Sequence, residues 1–163
     1  MIEKAPPEKP PADKPLAQTM PAAETLAVVF HDLARESPAV AAALGGEIAA
    51  RFRPRDEAPF STIAHDEKGA LIGGLNGVSH WRWLYIRHLW VAPERRGIGL
   101  GTALLRRAEG EARARACLGL YIDSFDPRAA ALYERFGFTR FGEIADFPPG
   151  HSRMFFSKRI ADA

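Results

Sequence analysis

Two arginines followed by three alternating glycines, "ERRGIGLG" from Glu94 to Gly101, are the residues of this chain whose types and spacing most plainly offer chemistry. Glycine inside a helix costs about 1 kcal/mol relative to alanine, so this stretch needs a reason. The apolar run before it reads as a strand and the run after it as a helix. A helix that opens straight after a strand leaves its first N–H groups without partners, and its dipole adds about half a positive charge at that end. Positions without side chains let a ligand reach that backbone. The combination suits phosphate or diphosphate, and Arg95 and Arg96 add charge to it. A P-loop would need G-x-x-x-x-G-K-[ST], and no lysine follows these glycines; a dinucleotide fingerprint would need G-x-G-x-x-G, which ends on Thr102 or Leu104 instead of glycine. The spacing that does fit is R-x-x-G-x-G at Arg96, Gly99 and Gly101. Taken alone, it is equally compatible with a tight turn.

Other reactive groups are scattered. Arg87 and His88 interrupt an otherwise apolar strand, where polar groups are costly unless partnered. His88 could relay a proton to or from a substrate, or be a satisfied structural histidine, or face a loop. Tyr85, Asp123 and Ser124 lie near predicted strand ends, and His151 in "PPGHS" could line a substrate site or simply sit in a turn. No grouping has metal-ligand spacing, so no metal is expected, and no G-x-S-x-G elbow or Cys/His pair supports a hydrolase. The single cysteine, Cys117, lies in an apolar stretch and reads as a buried spectator.

The elements that must position these groups follow from the rest of the 163 residues. A hydrophobic content of 47% supports one packed core. Residues 1–23 are rich in proline and charge and read as a disordered arm; residues 24–163 then form a single domain. One cysteine, no signal-like leader and no apolar run near the roughly 20 residues of a membrane span point to a soluble, cytoplasmic protein with no membrane partner. A net charge of +2 is too small to argue for nucleic acid. The cluster of Arg95, Arg96, Arg106, Arg107, Arg113 and Arg115 is either a solvated helix face or the surroundings of an anionic ligand.

The predicted order is a short strand over residues 25–30 and a helix, "PAVAAALGGEIAARF", with Ser37 as N-cap and Pro38 at its first position. Two strands, "FSTIAHD" and "ALIGGLNGV", are joined by the turn "DEKG". "WRWLYIRHLWVA", Trp81 to Ala92, is apolar on both faces, as in a central strand buried on both sides. After the glycine turn comes a helix, "TALLRRAEGEARARA", with Leu104, Ala108, Ala112 and Ala116 on one face and Gly119 as its stop. The strand "LYIDSF" leads to a short helix that Asp126 caps, Pro127 opens and Gly137 ends. "FTRFGEI" and "RMFFSKRI" are two final strands, joined by the loop "ADFPPGHS". Strand–helix–strand crossovers imply parallel pairing at the sheet centre, and the hairpins imply antiparallel edges. The "HWRW" segment, His80 to Trp83, could be a homodimer contact or a substrate wall.

The short helix and its flanks, "DPRAAALYERFGF", supply Ala129, Leu132, Tyr133, Gly137 and Phe138. With Arg96, Gly99 and Gly101, in this order and one group on each crossover, they resemble the two landmarks of the GNAT (Gcn5-related) N-acetyltransferase superfamily. The second landmark is commonly written N-x-x-A-x-x-L-Y-x-x-x-G-F. Asp126 stands where asparagine is usual, which keeps the cap but alters a side chain that often bonds the cofactor. The resemblance runs from about Ala70 to Ile160. It looks closest to a bacterial branch with "WLYI…LWV", "GF…FGEI" and "FPPGHSRMFF", a branch of unsettled substrate.

The resemblance implies a GNAT-like mixed α/β sheet with parallel central strands that splay apart and helices on both faces. It implies acetyl-coenzyme A (acetyl-CoA) as co-substrate. The pantetheine arm would pair with Leu89, Trp90 and Val91, and the diphosphate would lie on Arg96, Gly97, Ile98, Gly99, Leu100, Gly101 and Thr102, with Asp126 nearby. The Val91 N–H would steady the developing oxyanion. Tyr133 would protonate the departing thiolate, its reference pKa of about 10 lying above the thiol's 8.5 or so. His88 is the candidate base. The expected activity is transfer of acetyl from acetyl-CoA to a primary amine of a small molecule or protein, by direct attack in a ternary complex. The alternative is a non-catalytic module that binds coenzyme A or another phosphate ligand as a sensor.

Overall fold

The computed structural model describes residues 29–160. The proposed arm over residues 1–23 and most of the strand over residues 25–30 lie outside them; Val29 and Phe30 are exposed and not in a strand. The chain divides into two units, Met1–Arg53 and Pro54–Ala163, with the break inside the single domain expected over 24–163. In the first, α1 (Pro38–Phe52) opens on Pro38 and runs through Gly45 and Gly46 without interruption, although Ser37 makes no side-chain cap.

The second unit is built on a six-stranded sheet of order β1-β2-β3-β4-β6-β5. The strands are β1 (Ala58–His65), β2 (Leu71–His80), β3 (Trp83–Val91), β4 (Gly119–Ser124), β5 (Thr139–Ala145) and β6 (Ser152–Arg159). Only β3 and β4 pair in parallel; the other neighbours are antiparallel. A short 3-10 turn (Pro93–Arg95) and α2 (Leu100–Ala114) connect β3 to β4, and α3 (Pro127–Arg135) leads from β4 towards β5. Leu84, Ile86, Leu120, Ile122, Met154 and Phe156 share one buried cluster with Leu104, Leu105, Ala108 and Ala112 of α2 and Ala130 and Tyr133 of α3. Both helices of this unit therefore cover the same face of the sheet. Each fully buried Leu, Ile or Phe contributes roughly 1.5–3 kcal/mol.

Three local expectations are corrected. The strand expected from Trp81 starts at Trp83, because Trp81 and Arg82 form a two-residue hairpin loop with φ of 46° and 64°. Such loops normally take Asn-Gly. Here Asp56 accepts the Trp81 amide at 2.7 Å, Trp81 Nε1 donates to the Pro54 carbonyl, and Arg82 Nε donates to the Ala116 carbonyl. Second, Gly119 does not stop α2, which ends at Ala114 with Ala116 in a left-handed conformation. Gly119 opens β4, and a Cβ there would lie 2.5 Å from the Lys158 carbonyl oxygen and 2.6 Å from the Trp83 ring. Third, β3 is not buried on both faces: Leu84 and Ile86 are buried, whereas Arg87 and His88 are exposed.

That third departure shapes the molecule. Gly77 pairs with Ile86 and Asn76 with His88, so Arg87 is an extra, bulged residue in β3. A bulge bends and twists its strand. Gly77 allows it, since a Cβ there would sit 2.9 Å from the Tyr85 carbonyl oxygen. Pairing of β3 with β4 ends at Ile86↔Ile122, while β3 continues to Val91 and β4 to Ser124. The central strands part beyond the bulge.

Candidate functional site

Where β3 leaves β4 there is a cleft of about 510 Å³. Its walls are Leu89 to Val91 on β3, Arg95, Arg96, Gly97, Gly99, Gly101 and Thr102 around the glycine turn, and Asp126, Arg128, Ala129, Leu132, Tyr133 and Arg135 along α3. The Ala92 amide donates to Ile72 on β2. N–H groups of successive residues in a strand point to opposite edges, so the Val91 and Leu89 amides point away from β2, into the gap.

The glycine turn supplies the most unusual feature. Gly97 and Gly99 have φ of 77° and 90°, a conformation costly for any side chain. Gly99 stands at the N-cap position of α2 and no side chain caps the helix. Among the described residues, the amides from Gly97 to Thr102 have no acceptor; only the Arg96 amide is taken, by the Pro93 carbonyl at 3.3 Å. Gly101 lets the turn approach α3, since a Cβ there would meet Leu132 Cδ2 at 3.0 Å. Arg96 spends its Nε on the Val91 carbonyl at 3.1 Å and so ties the turn to β3. Four arginines and one carboxylate, Asp126, line the cleft. Unpaired amides, a helix dipole and surplus positive charge fit a diphosphate ester.

α3 is built differently. Asp126 Oδ1 accepts the Arg128 amide at 2.8 Å, and the Arg128 guanidinium pairs with the same carboxylate. Arg128 therefore holds the Asp126 carboxyl below its ordinary range. At the far end Gly137, with φ of 94°, donates to the Glu134 carbonyl while Phe138 donates to that of Tyr133. This left-handed cap places the Phe138 ring centroid 6.0 Å from that of Tyr133, which also meets Phe156 at 5.6 Å in a T-shaped contact. Tyr133 is 4% exposed yet lines the cleft. Burial, then the charges of Asp123 and Asp126, push its hydroxyl up to about 12, with the Ser124 hydroxyl acting the other way. It keeps its proton at neutral pH.

The cleft thus collects Leu89, Trp90, Val91, Arg96, Gly97, Gly99, Gly101, Thr102, Asp126 and Tyr133. Ile98 is 70% exposed and Leu100 turns towards the core, so each offers its backbone only. His88 is exposed, pairs with Asn76 across β2 and is not part of the cleft wall. Tyr85 and Asp123 do come together, whereas Ser124 accepts the Asp126 amide at 3.1 Å and lies by Tyr133. The Tyr85 hydroxyl donates to Asp123 Oδ1 at 2.8 Å, and Arg153 Nε donates to Oδ2 at 2.8 Å. Asp123 follows the last parallel pair and points to the sheet face opposite Ile122. Tyr85 stacks on Tyr121 with centroids 4.6 Å apart. His151 lines a second recess of about 440 Å³ with Phe125, Pro127, Glu143 and Asp146. Cys117 is buried and its thiol is raised by burial, as suits an inert residue. Arg128 and Arg135 also line the cleft, beyond the residues expected from the sequence. Their spacing with Leu132, one stripe of α3, was the available signal.

The profile of the Acetyltransferase (GNAT) family matches residues 25–138, beginning well before Ala70, where the motif resemblance starts. The chain is 38% identical over 111 residues to Acetyltransferase Atu2258 of Agrobacterium fabrum, covering 68% of this chain and 81% of that protein. It is 41% identical over 92 residues to the Blasticidin-S acetyltransferase of Streptomyces morookaense, covering 56% and 68%. Among solved structures, one from Agrobacterium tumefaciens assigned to the acetyltransferases superposes with a TM-score of 0.71 at 34% identity, covering 83% of this chain and 100% of that one.

Proposed function

The chain belongs to the Acetyltransferase (GNAT) family and is an acyltransferase, and from that premise we propose that it carries acetyl from acetyl-CoA to a primary amine by direct attack. The carrying observation is the unpaired run of amides from Gly97 to Thr102, which faces a cleft continuous with the gap between β3 and β4. Acetyl-CoA, when bound, supplies a thioester activated towards nucleophiles. The turn amides and Arg96 hold the diphosphate. The outward-facing backbone of Leu89 and Val91 lines the pantetheine arm, in the manner of an added strand. The Val91 N–H donates to negative charge developing on the acetyl oxygen.

Tyr133 holds its proton at the phenol oxygen and delivers it to the departing sulfur. Its raised proton affinity exceeds that of a solvated thiol. The same burial also raises the affinity of a thiolate beside it, which keeps the transfer within reach. On the opposite face, the Tyr85–Asp123 pair lies where the strands part and is the better placed candidate to receive the amine proton than exposed His88.

The similarity to a Blasticidin-S acetyltransferase favours amine-bearing small molecules as the first acceptors to test. With purified protein and saturating acetyl-CoA, a panel containing blasticidin S, other amine antibiotics, polyamines and amino acids is expected to contain an amine that releases one thiol per amide formed. Release no faster than buffer hydrolysis across the panel and a peptide library, or mass-spectrometric detection of esters only, would contradict the proposal.

A further inference from the structure

The charge of the cleft exceeds what a diphosphate needs. Of its four arginines, Arg128 is matched by Asp126, which leaves Arg95, Arg96 and Arg135. A diphosphate diester brings about one negative charge per phosphate, and the unpaired amides and helix dipole already serve it. Arg96 is fixed at the turn through Val91, and Arg95 has only a 4.0 Å contact with Asp66. Arg135 has no hydrogen bond or ion pair among the described residues, although it lies on the cleft wall.

Its position along α3 says what it meets. The Tyr133 hydroxyl lies by Ser124 at the end of β4 and feels the charge of Asp126 at the start of α3, so the thioester belongs at that end. The glycine turn meets α3 at Leu132. Arg135 lies three residues further on, about 4.5 Å along the axis, on the side of the diphosphate away from the thioester. That is the nucleotide side.

We infer that Arg135 reads the 3′-phosphate of the coenzyme A nucleotide and makes the enzyme selective for acetyl-CoA over acetyl-dephospho-CoA. The inference rests on the cleft taking a coenzyme A thioester. A phosphate monoester carries about −1.5 to −2 at neutral pH, and a guanidinium forms with it the stronger, charge-assisted class of hydrogen bond.

Titration calorimetry with the full chain tests this without knowledge of the acceptor. The wild type is expected to bind acetyl-CoA at least about tenfold more tightly than acetyl-dephospho-CoA. Arg135→Gln is expected to bring that ratio close to one by weakening acetyl-CoA alone. Arg107→Gln, which removes the same charge from the exposed side of α2 outside the cleft, is expected to leave the ratio unchanged. Arg135→Lys should restore part of it. Melting temperatures of all variants should match, since Arg135 is exposed. Equal wild-type affinity for the two ligands, equal weakening of both by Arg135→Gln, or the same effect from Arg107→Gln would overturn the inference and leave the acetyltransferase reading intact. Failure of both ligands to bind the wild type would remove that reading as well.

Discussion

Two helices of this fold begin directly behind the two parallel strands, and their first turns differ in one respect. At α3 the demand of the exposed amides is mostly met from within: Asp126 accepts the Arg128 amide and Pro127 brings no N–H to satisfy, so that of the first turn the Ala129 amide alone has no acceptor among the described residues. At α2 no side chain caps the helix, a glycine holds a left-handed N-cap, and the amides from Gly97 to Thr102 find no acceptor among the described residues. The same backbone physics gives a largely capped helix end in one place and the proposed binding site in the other. A site of this kind is marked by a need the protein leaves unmet where a standard side chain would have met it.

The largest effect should come from closing the open end. Gly99→Val forces a β-branched residue to φ of 90° and puts a side chain into the proposed diphosphate site; acetyl-CoA affinity should fall by more than about a hundredfold by calorimetry. An unchanged binding isotherm would erase the distinction between the two helix ends. Tyr133→Phe comes next. It removes a proton donor but little shape, and kcat should fall by roughly a hundredfold or more with acetyl-CoA affinity nearly intact. Equal kcat at all pH values would take Tyr133 out of the chemistry.

Smaller effects sharpen the other side of the comparison. Asp126→Ala should cost about 1 kcal/mol of stability, the usual value of an N-cap, while changing acetyl-CoA affinity by less than about threefold; Asp126→Asn should be close to neutral in both. A large affinity loss with unchanged stability would make Asp126 a ligand contact instead of a cap. Alkaline titration gives the last test. Tyr133 has a folded value of about 12 against an unfolded value near 10. Its contribution is therefore present below pH 10 and lost as pH rises towards 12, by roughly 2–3 kcal/mol. Urea unfolding at pH 9 and 11 should record that slope, and Tyr133→Phe should flatten it.

What the sequence disclosed and what it hid follow one physical division. The glycine turn, the Asp126–Pro127 opening and the Gly137 end of α3 were legible because their requirements are local, a matter of φ and of amides within one turn. Gly119 was misread as a helix stop because its requirement is tertiary: the Lys158 carbonyl and the Trp83 ring leave no room for a Cβ. The Trp81–Arg82 loop carries none of the usual turn residues and depends on Asp56, 25 residues away in sequence. The parting of β3 and β4 was expected only by resemblance. Its cause here, the bulge at Arg87 opposite Gly77, depends on pairing register that no single segment encodes. His88 looked reactive as a polar residue in an apolar strand, but the bulge beside it lies where the strand becomes exposed. Arg135 was overlooked although its helical spacing from Leu132 was open to view.

Everything proposed for this protein depends on unpaired amides at the opening of α2 gripping a diphosphate. Backbone ¹⁵N–¹H spectra recorded while coenzyme A is added test it at the atoms concerned. The amides of Gly97 to Thr102 are expected to shift most, downfield as they gain a charged acceptor. Saturation of the protein with those resonances unmoved would contradict it.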